Sequence, residues 1–231
     1  MYKRQGDARY AVGDFDGKKF TPEHEGKHRL HYGTYYASQT FDNAPGGRKI
    51  QVGWNTSQAA PEAPYAGHHS FPHELTLHTE VNGIRMRANP IEEIKELRAK
   101  SHRVNPVELS PGSPAVLPVL SNTFELTLEF DPGDSDQVFI NIPGTHIRYR
   151  TKEQIIKHRE IPLEVINGKV KMHILVDACL YEIAGNDGRV YVSLPRDYKL
   201  PITEIKIEAI GGNAMLTPVS YTHLRAHETR P

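Results

Sequence analysis

The sequence is dominated by short runs in which apolar and polar residues alternate, and each run ends at turn-forming residues. Residues 123–130 read TFELTLEF and residues 74–78 read ELTLH. Successive side chains of a β-strand point to opposite faces, so this period predicts strands with one buried face. Asn82-Gly83 and Asn186-Asp187-Gly188 supply turns between such runs. The spacing predicts an all-β fold of the propeller or sandwich type.

One segment has a different period. Residues 90–100, PIEEIKELRAK, place Ile91, Ile94 and Leu97 at helical spacing behind an initial proline. This pattern predicts one short amphipathic helix. The Pro-rich residues 105–118 that follow predict a linker, after which strand-like runs resume.

Composition excludes several classes of function. The chain has 231 residues, enough for one large domain or two small ones. Its 28 basic and 28 acidic side chains balance, which disfavours nucleic acid and anionic membranes as partners. The single cysteine, Cys179, excludes an internal disulfide. No residue pattern indicates a cofactor.

Both ends of the chain carry strings that match a translated sequencing adaptor. Residues 1–5, MYKRQ, correspond to the adaptor end GTG-TAT-AAG-AGA-CAG, and residues 219–229, VSYTHLRAHET, correspond to the opposite strand. We therefore expect residues 1–5 and 218–231 to be adaptor-derived and to stand outside the fold. The same reading makes the chain a piece of a longer protein.

Six segments occur in an order that carries a family resemblance. They are ARYAVGDFDGKKF, LHYGTYYASQTF, GRKIQVGW, SFPHELTL, NPIEEIKEL and, from Ile166 onward, INGKVKMHILVDACLYEIAGNDGRVYV. Together they resemble the later part of glycoside hydrolase family 32, which comprises invertases, levanases, inulinases and related β-fructosidases. The last segment is similar to the family's "LRIFVDRSSVEVFGNDG" stretch.

The resemblance implies the last blades of a five-bladed β-propeller, over residues 6–100, followed by a β-sandwich over residues 101–217. It also implies retaining hydrolysis of terminal fructose from sucrose, levan or inulin, with one carboxylate as nucleophile and another as acid/base. In the family these groups, and a third that steadies the sugar, lie in WMNDPNG, RDP and EC motifs. None of the three motifs occurs here, so we assign no catalytic residue to this chain and expect it to be inactive alone.

The resemblance leaves three candidate substrate-binding residues. Tyr36 and Gln39 match the family's "DFYAAQ" run, although this chain lacks the Asp before the aromatic pair, and Trp54 matches its "GW" motif. An indole face suits the C–H face of a sugar, and its N–H can donate to a hydroxyl. Core packing for the aromatic residues, and satisfaction within the sheet for Gln39, are the structural alternatives.

Other polar groups fit structural roles better. The histidine clusters (His24, His28 and His31; His68, His69 and His73) lack the ligand set of a closed zinc site, and we predict no metal. Asp16-Gly17 reads as a turn, Glu74 as structural, and Cys179 as a buried thiol. Two further hypotheses remain: a non-catalytic carbohydrate-binding sandwich over residues 107–216, and a standalone β protein with neither role.

Overall fold

The computed structural model describes residues 8–56, 67–119, 121–197, 199–217 and 219–225. Within these ranges the secondary structure consists of 24 strands and three 3₁₀ helices, so the predicted all-β class is confirmed. No helix in the described ranges has the length and apolar character needed to cross a membrane.

The strands follow one another in short steps along the chain. They are β1 (Arg9–Tyr10), β2 (Gly13–Phe15), β3 (Phe20–Pro22), β4 (His28–Arg29), β5 (His31–Gly33), β6 (Tyr35–Thr40), β7 (Ile50–Asn55), β8 (His68–His69), β9 (His73–Glu80), β10 (Gly83–Pro90), β11 (Arg98–Val104), β12 (Val107–Leu109), β13 (Ala115–Pro118), β14 (Phe124–Asp131), β15 (Gln137–Ile142), β16 (Thr145–Arg150), β17 (Ile155–Ile156), β18 (Ile161–Pro162), β19 (Val170–Val176), β20 (Leu180–Gly185), β21 (Val190–Pro195), β22 (Glu204–Ile210), β23 (Ala214–Leu216) and β24 (Val219–Leu224). The 3₁₀ helices span Pro45–Gly47, Glu92–Leu97 and His158–Glu160.

Two sheets pack face to face as a β-sandwich. The larger has nine strands on the path β11-β24-β14-β19-β20-β21-β5, with β12 and β23 beside it, and the smaller runs β13-β22-β15-β16-β17-β18. Alternate residues of β14, namely Phe124, Leu126, Leu128 and Phe130, are fully buried in one core shared by both sheets. The predicted alternation in TFELTLEF is therefore the inward-facing pattern of this strand.

The N-terminal half forms a smaller antiparallel sheet, in the order β10-β9-β7-β6, with β8 paired to β7. Its β9–β10 hairpin turns where Asn82-Gly83 predicted it. This sheet packs on the outer face of the nine-stranded sheet, the face turned away from the sandwich core. Ala88 and Leu30 meet Ala184 and Tyr191 there.

The predicted helix over residues 90–100 is wrong in length and type. Only Glu92–Leu97 is helical, in 3₁₀ form, and from Arg98 the chain is extended as β11. Pairing of β11 with β24 provides backbone hydrogen bonds that favour the extended form over helix. The apolar stripe is still used, because Ile91, Ile94 and Leu97 pack around Leu175 and Leu224. The predicted linker also contains two strands, β12 and β13.

The nine-stranded sheet draws on chain from outside the predicted sandwich boundaries. β5 pairs in parallel with β21. β24 lies between β11 and β14, with Tyr221 only 1% exposed. The expectation that residues 218–231 stand outside the fold therefore does not hold for β24, whose Val219 and Tyr221 enter the shared core. The adaptor origin of these residues stays a prediction, and residues 1–5 and 226–231 lie outside the described ranges.

Candidate functional site

The three predicted substrate-binding residues lie on neighbouring strands. Tyr36 of β6 pairs with Trp54 of β7, and Gln39 pairs with Val52. The ladder shifts between Tyr36 and Gln39, where Ala37 adopts a φ of 44°. Cross-strand partners share a face, and Val52 and Trp54 are two residues apart on β7. The bulge therefore turns Gln39 to the same face as Tyr36 and Trp54.

This face is open to solvent at its aromatic pair. Trp54 is 46% exposed, Tyr36 is half-buried and Gln39 is exposed. The two ring centroids lie 6.1 Å apart with the planes inclined by 60°. Gly67 lies against the Trp54 indole, since a Cβ at Gly67 would come within 2.3 Å of its Nε1 atom. An exposed indole beside a phenol and an amide can contact a sugar face and its hydroxyls.

The opposite face of the same sheet is buried and polar. Gly53 has no side chain, so the Tyr35 ring crosses β7 at that point; a Cβ on Gly53 would lie 2.2 Å from the ring. Gly53 thus leaves room for the Tyr35 ring on the buried face of the sheet, and Trp54 projects from the exposed face.

A group of buried polar residues lies between the N-terminal sheet and the nine-stranded sheet, and we call it the junction cluster. Its members are His31, Tyr35, Asn55, His73, Glu182, Tyr191 and Ser193. Glu182 of β20 is its centre. Its carboxylate accepts hydrogen bonds from the Tyr191 hydroxyl at 2.6 Å, from the Phe71 backbone N–H at 2.9 Å and from the Ser193 hydroxyl. Asn55 Nδ2 in turn donates to Ser193 Oγ at 3.1 Å. Donors from β21 and from the segment between β8 and β9 therefore converge on a single carboxylate.

Two histidines extend the cluster. Their Nε2 atoms lie 2.9 Å apart, and His73 Nδ1 lies 3.0 Å from the Phe71 carbonyl oxygen. That carbonyl can only accept, so the proton of neutral His73 sits on Nδ1 and His31 donates to His73 Nε2. The His31 ring stacks on Tyr35 with 4.0 Å between centroids, and the His73 ring stacks on Tyr191 at 4.3 Å.

Burial sets the protonation of this cluster. Desolvation raises the pKa of Glu182 to about 7, against the opposing effect of its hydrogen bonds from Ser193, Tyr191 and Phe71. Desolvation lowers the pKa of His73 to about 4 and holds the pKa of His31 well below its usual 6.5, where the charge of His73 also contributes. Glu182 is 1% exposed and His73 0% exposed, so the junction cluster joins two sheets and does not face a substrate.

The remaining sequence candidates take structural positions. Asp16 Oδ1 accepts from the backbone N–H groups of Lys18 and Lys19, which confirms the predicted turn. Glu74 binds Arg48, with 3.0 Å between Oε2 and Nε. Cys179 is buried. Among the described side chains, no three His, Cys, Asp or Glu residues are grouped so as to hold a metal ion.

The sequence analysis missed Glu182 and Ser193. One signal was available, because LYEIAG places a glutamate inside an otherwise uncharged strand-forming run. A charged residue in such a run is expected to be paired when it is buried. Its partners come from residues 71, 191 and 193 and are not evident from local spacing.

The fold defines an all-β protein in which a β-sandwich carries a second, smaller sheet on its outer face. Solved structures share this arrangement. An exo-inulinase from Aspergillus awamori matches with a TM-score of 0.76 at 17% identity, over 94% of this chain and 50% of that one. A fructofuranosidase from Schwanniomyces occidentalis, complexed with fructose, matches with a TM-score of 0.77 at 18% identity, over 94% of this chain and 53% of that one.

Sequence comparison shows similarity to the same group of proteins. The profile described as "Glycosyl hydrolases family 32 N-terminal domain" matches residues 1–90. A levanase from Bacillus subtilis (strain 168) is 28% identical over 219 residues, which cover 80% of this chain and 32% of the levanase. A levanase from Bacillus sp. (strain L7) is 27% identical over 227 residues, covering 81% and 24%. The chain is thus similar to glycoside hydrolase family 32 proteins and spans about a third or less of the length of these levanases.

Proposed function

We propose that this chain is the C-terminal part of a retaining β-fructofuranosidase that hydrolyses terminal fructose from sucrose, levan or inulin. The observation that carries the proposal is the family profile over residues 1–90, continued by alignment with levanases over about four fifths of the chain. Choice among these substrates would be set mostly by loops on the portion of the relatives that the chain does not match.

The chemistry assigned to the parent protein needs two carboxylates. One attacks the anomeric carbon of the fructosyl unit to form a covalent glycosyl-enzyme. The other first protonates the leaving oxygen and then removes a proton from the incoming water. WMNDPNG, RDP and EC motifs are absent from this sequence. The chain alone is therefore proposed to be inactive, with its catalytic groups on the parent's earlier blades.

In this proposal residues 6–100 belong to the last blades of a five-bladed propeller. The four strands β6, β7, β9 and β10 have the order and antiparallel pairing expected of a blade. Residues 101–217 form the main part of the sandwich, and the terminal segments 1–5 and 218–231 are adaptor-derived.

Tyr36, Gln39 and Trp54 are proposed to border the sugar site of the parent protein. Their common face and the 46% exposure of Trp54 support this role. We expect Trp54→Ala in the full-length parent to lower kcat/KM on sucrose by on the order of tenfold. Phe15→Ala, which removes an aromatic ring that is 66% exposed on β2, is the matched control and should leave kcat/KM unchanged. Equal effects of the two substitutions would remove Trp54 from the site.

Turnover measurements test the main proposal. The parent gene, recovered with its flanking DNA, should encode a WMNDPNG motif upstream and release fructose from sucrose, levan or inulin. The present chain should release none. Turnover by this chain, or a parent lacking that motif, would contradict the proposal.

A non-catalytic carbohydrate-binding sandwich is the second candidate, favoured by a two-sheet core to which residues 107–216 contribute most of the buried side chains. Isothermal titration of the chain with levan and inulin separates the two. Binding that survives Trp54→Ala would favour a carbohydrate-binding sandwich. Binding that is lost in Trp54→Ala would place the contact on the N-terminal sheet.

A further inference from the structure

A cationic cleft opens at the edge of the sandwich, and Tyr36, Gln39 and Trp54 are not among its lining residues. Its volume is about 570 Å³, within the range of small-molecule sites. Strand β16 contributes His146 and Arg148, and the short segment after β17 contributes Lys157, His158 and Arg159. The end of β21 and Thr34 of the N-terminal half close the other side.

The charges of this cleft have one sign. Arg148, Lys157 and Arg159 line it together with two imidazoles, and no carboxylate is among its lining residues. Glu160 follows Arg159 in the chain but is not part of the lining. Elsewhere, arginines such as Arg48 and Arg98 are paired with glutamates. Ion pairs within the described ranges include none of the three cations of the cleft.

Two of the three cations, Arg148 and Arg159, are held in place by uncharged contacts. The Arg148 guanidinium lies over the Phe139 ring, 5.1 Å from its centroid. Arg159 Nη1 donates to the Gly33 carbonyl oxygen of β5, and Arg159 itself has a left-handed φ of 58°. An aromatic face and a carbonyl can orient a guanidinium without neutralising it. The positive charges therefore remain available to a ligand.

One of the two histidines in the cleft, His158, has a lowered pKa. Desolvation is the main cause that lowers the pKa of His158, and the neighbouring charges of Arg159 and His146 lower it further. Thr34 and Thr145 line the same cavity, and the Thr34 hydroxyl donates to Asn55 Oδ1.

We propose that this cleft is a binding site for a phosphate group, carried by a small sugar-sized ester or free in solution, with Arg148 and Lys157 as its principal cationic contacts. A guanidinium fork and an ammonium group match the geometry and charge of a phosphate. The site is separate from the proposed fructosyl site and does not depend on it, because its residues come mainly from the sandwich.

Isothermal titration of the complete chain tests the site. The probes are inorganic phosphate and fructose 6-phosphate at pH 7 and constant low ionic strength, with fructose as the neutral comparison. We expect saturable binding of at least one phosphate probe and none of fructose. The double variant Arg148→Gln/Lys157→Gln should weaken that binding by at least about tenfold. Tighter binding of the ester than of free phosphate would identify a sugar phosphate as the ligand, and the reverse order would identify the free anion.

The control variant is Lys152→Gln, which removes an exposed cation outside the cleft and should leave binding unchanged. Circular dichroism checks that all variants fold. Bound phosphate should also raise the pKa of His158, followed by NMR and assigned with His158→Gln. Three outcomes would each overturn the proposal. They are the absence of saturable phosphate binding, equal phosphate affinity of the double variant and the unmodified chain, and an unchanged His158 pKa at saturation.

Discussion

The two faces of the nine-stranded sheet are both buried, but different interactions stabilise them. On β20, Tyr181 and Ile183 point into the sandwich core, whereas Glu182 and Ala184 point toward the N-terminal sheet. The core between the large sheets is almost wholly apolar. The outer face instead holds the junction cluster and, near β11, the Glu125 carboxylate with Arg98 and His173.

Because one face is apolar and the other polar, the two faces should contribute differently to the stability of the sandwich and to the position of the N-terminal sheet on it. Apolar burial is non-directional and does not depend on pH in itself. A buried carboxylate must find donors at fixed positions, and its contribution changes with protonation. We therefore expect the inner face to determine how stable the sandwich is. The outer face should determine where the N-terminal sheet packs and how that packing responds to pH.

The largest effect is expected on the inner face. Phe130 is fully buried and meets Tyr149 edge to face, with 5.4 Å between ring centroids. Phe130→Ala should lower the free energy of unfolding by about 3–5 kcal/mol, since it removes apolar contacts and leaves a cavity. Urea denaturation measures this. Phe15→Ala, at a 66% exposed position, should change stability by about 0.5 kcal/mol or less. Similar losses for both variants would contradict the assignment of the core.

The second effect is a pH dependence that belongs to the outer face. The pKa of Glu182 in the fold, about 7, lies above its ordinary value of 4.5. Its contribution is therefore fully present below pH 4.5 and is lost as the pH rises through 7, by up to about 3 kcal/mol. His73 acts in the opposite direction: its pKa is lowered to about 4, so its contribution is lost as the pH falls from 6.5 through 4. His31 has the same sign as His73.

Because these groups oppose one another, the total pH profile hides Glu182 and a difference measurement is needed. The free energy of unfolding of the unmodified chain minus that of Glu182→Gln should fall as the pH rises from 4.5 to about 7.5. Glu96→Gln, at an exposed position on the 3₁₀ helix, is the control substitution. A flat difference for Glu182→Gln would mean that burial does not perturb this carboxyl.

The two faces also differ in how far sequence could predict them. The inner face follows from a two-residue period, so TFELTLEF and similar runs predicted strands with one buried face. The junction cluster is formed by residues far apart in the chain, such as Phe71 and Glu182, and no local pattern encodes that pairing. The shared face of Tyr36, Gln39 and Trp54 depends on a bulge at Ala37, where a positive φ occurs at a residue that gives no warning of it. The helix prediction failed because Ile91, Ile94 and Leu97 satisfy a helical stripe, yet β24 offers the following residues a strand partner.

A third, smaller effect tests the ion pair on the outer face. Glu125 is 2% exposed and binds Arg98 through two hydrogen bonds of 2.6 and 2.7 Å. Burial alone would raise the pKa of Glu125, but hydrogen bonds from His173 and Arg98 outweigh it and lower the pKa to about 2. This contribution is present above pH 4.5 and is lost as the pH falls toward 2.

Arg98→Met should cost about 2 kcal/mol at pH 7, less than for a fully buried pair because the Arg98 side chain is 38% exposed. The cost should shrink near pH 2, where Glu125 becomes neutral. Lys95→Met, which removes an exposed pair with Glu92, should cost about 0.5 kcal/mol or less at either pH. A cost for Arg98→Met that is the same at pH 7 and pH 2 would show that lost packing, not charge, is responsible.

The smallest effect on stability is expected on the face of the N-terminal sheet that contacts neither large sheet. Trp54 follows Gly53 on β7 but projects away from the junction cluster and is 46% exposed. Trp54→Ala should lower the free energy of unfolding by about 1 kcal/mol or less, because much of the indole is already in water. Asn55→Ala is the comparison on the next residue: Asn55 is fully buried and donates to Ser193, so its loss should cost about 1–3 kcal/mol. Urea denaturation of both variants gives the order. If Trp54→Ala lowered the free energy of unfolding more than Asn55→Ala does, the indole would be a packing residue and would not border a sugar site. In the predicted order Trp54 is exposed and contributes little to stability, as expected of a residue that contacts a ligand.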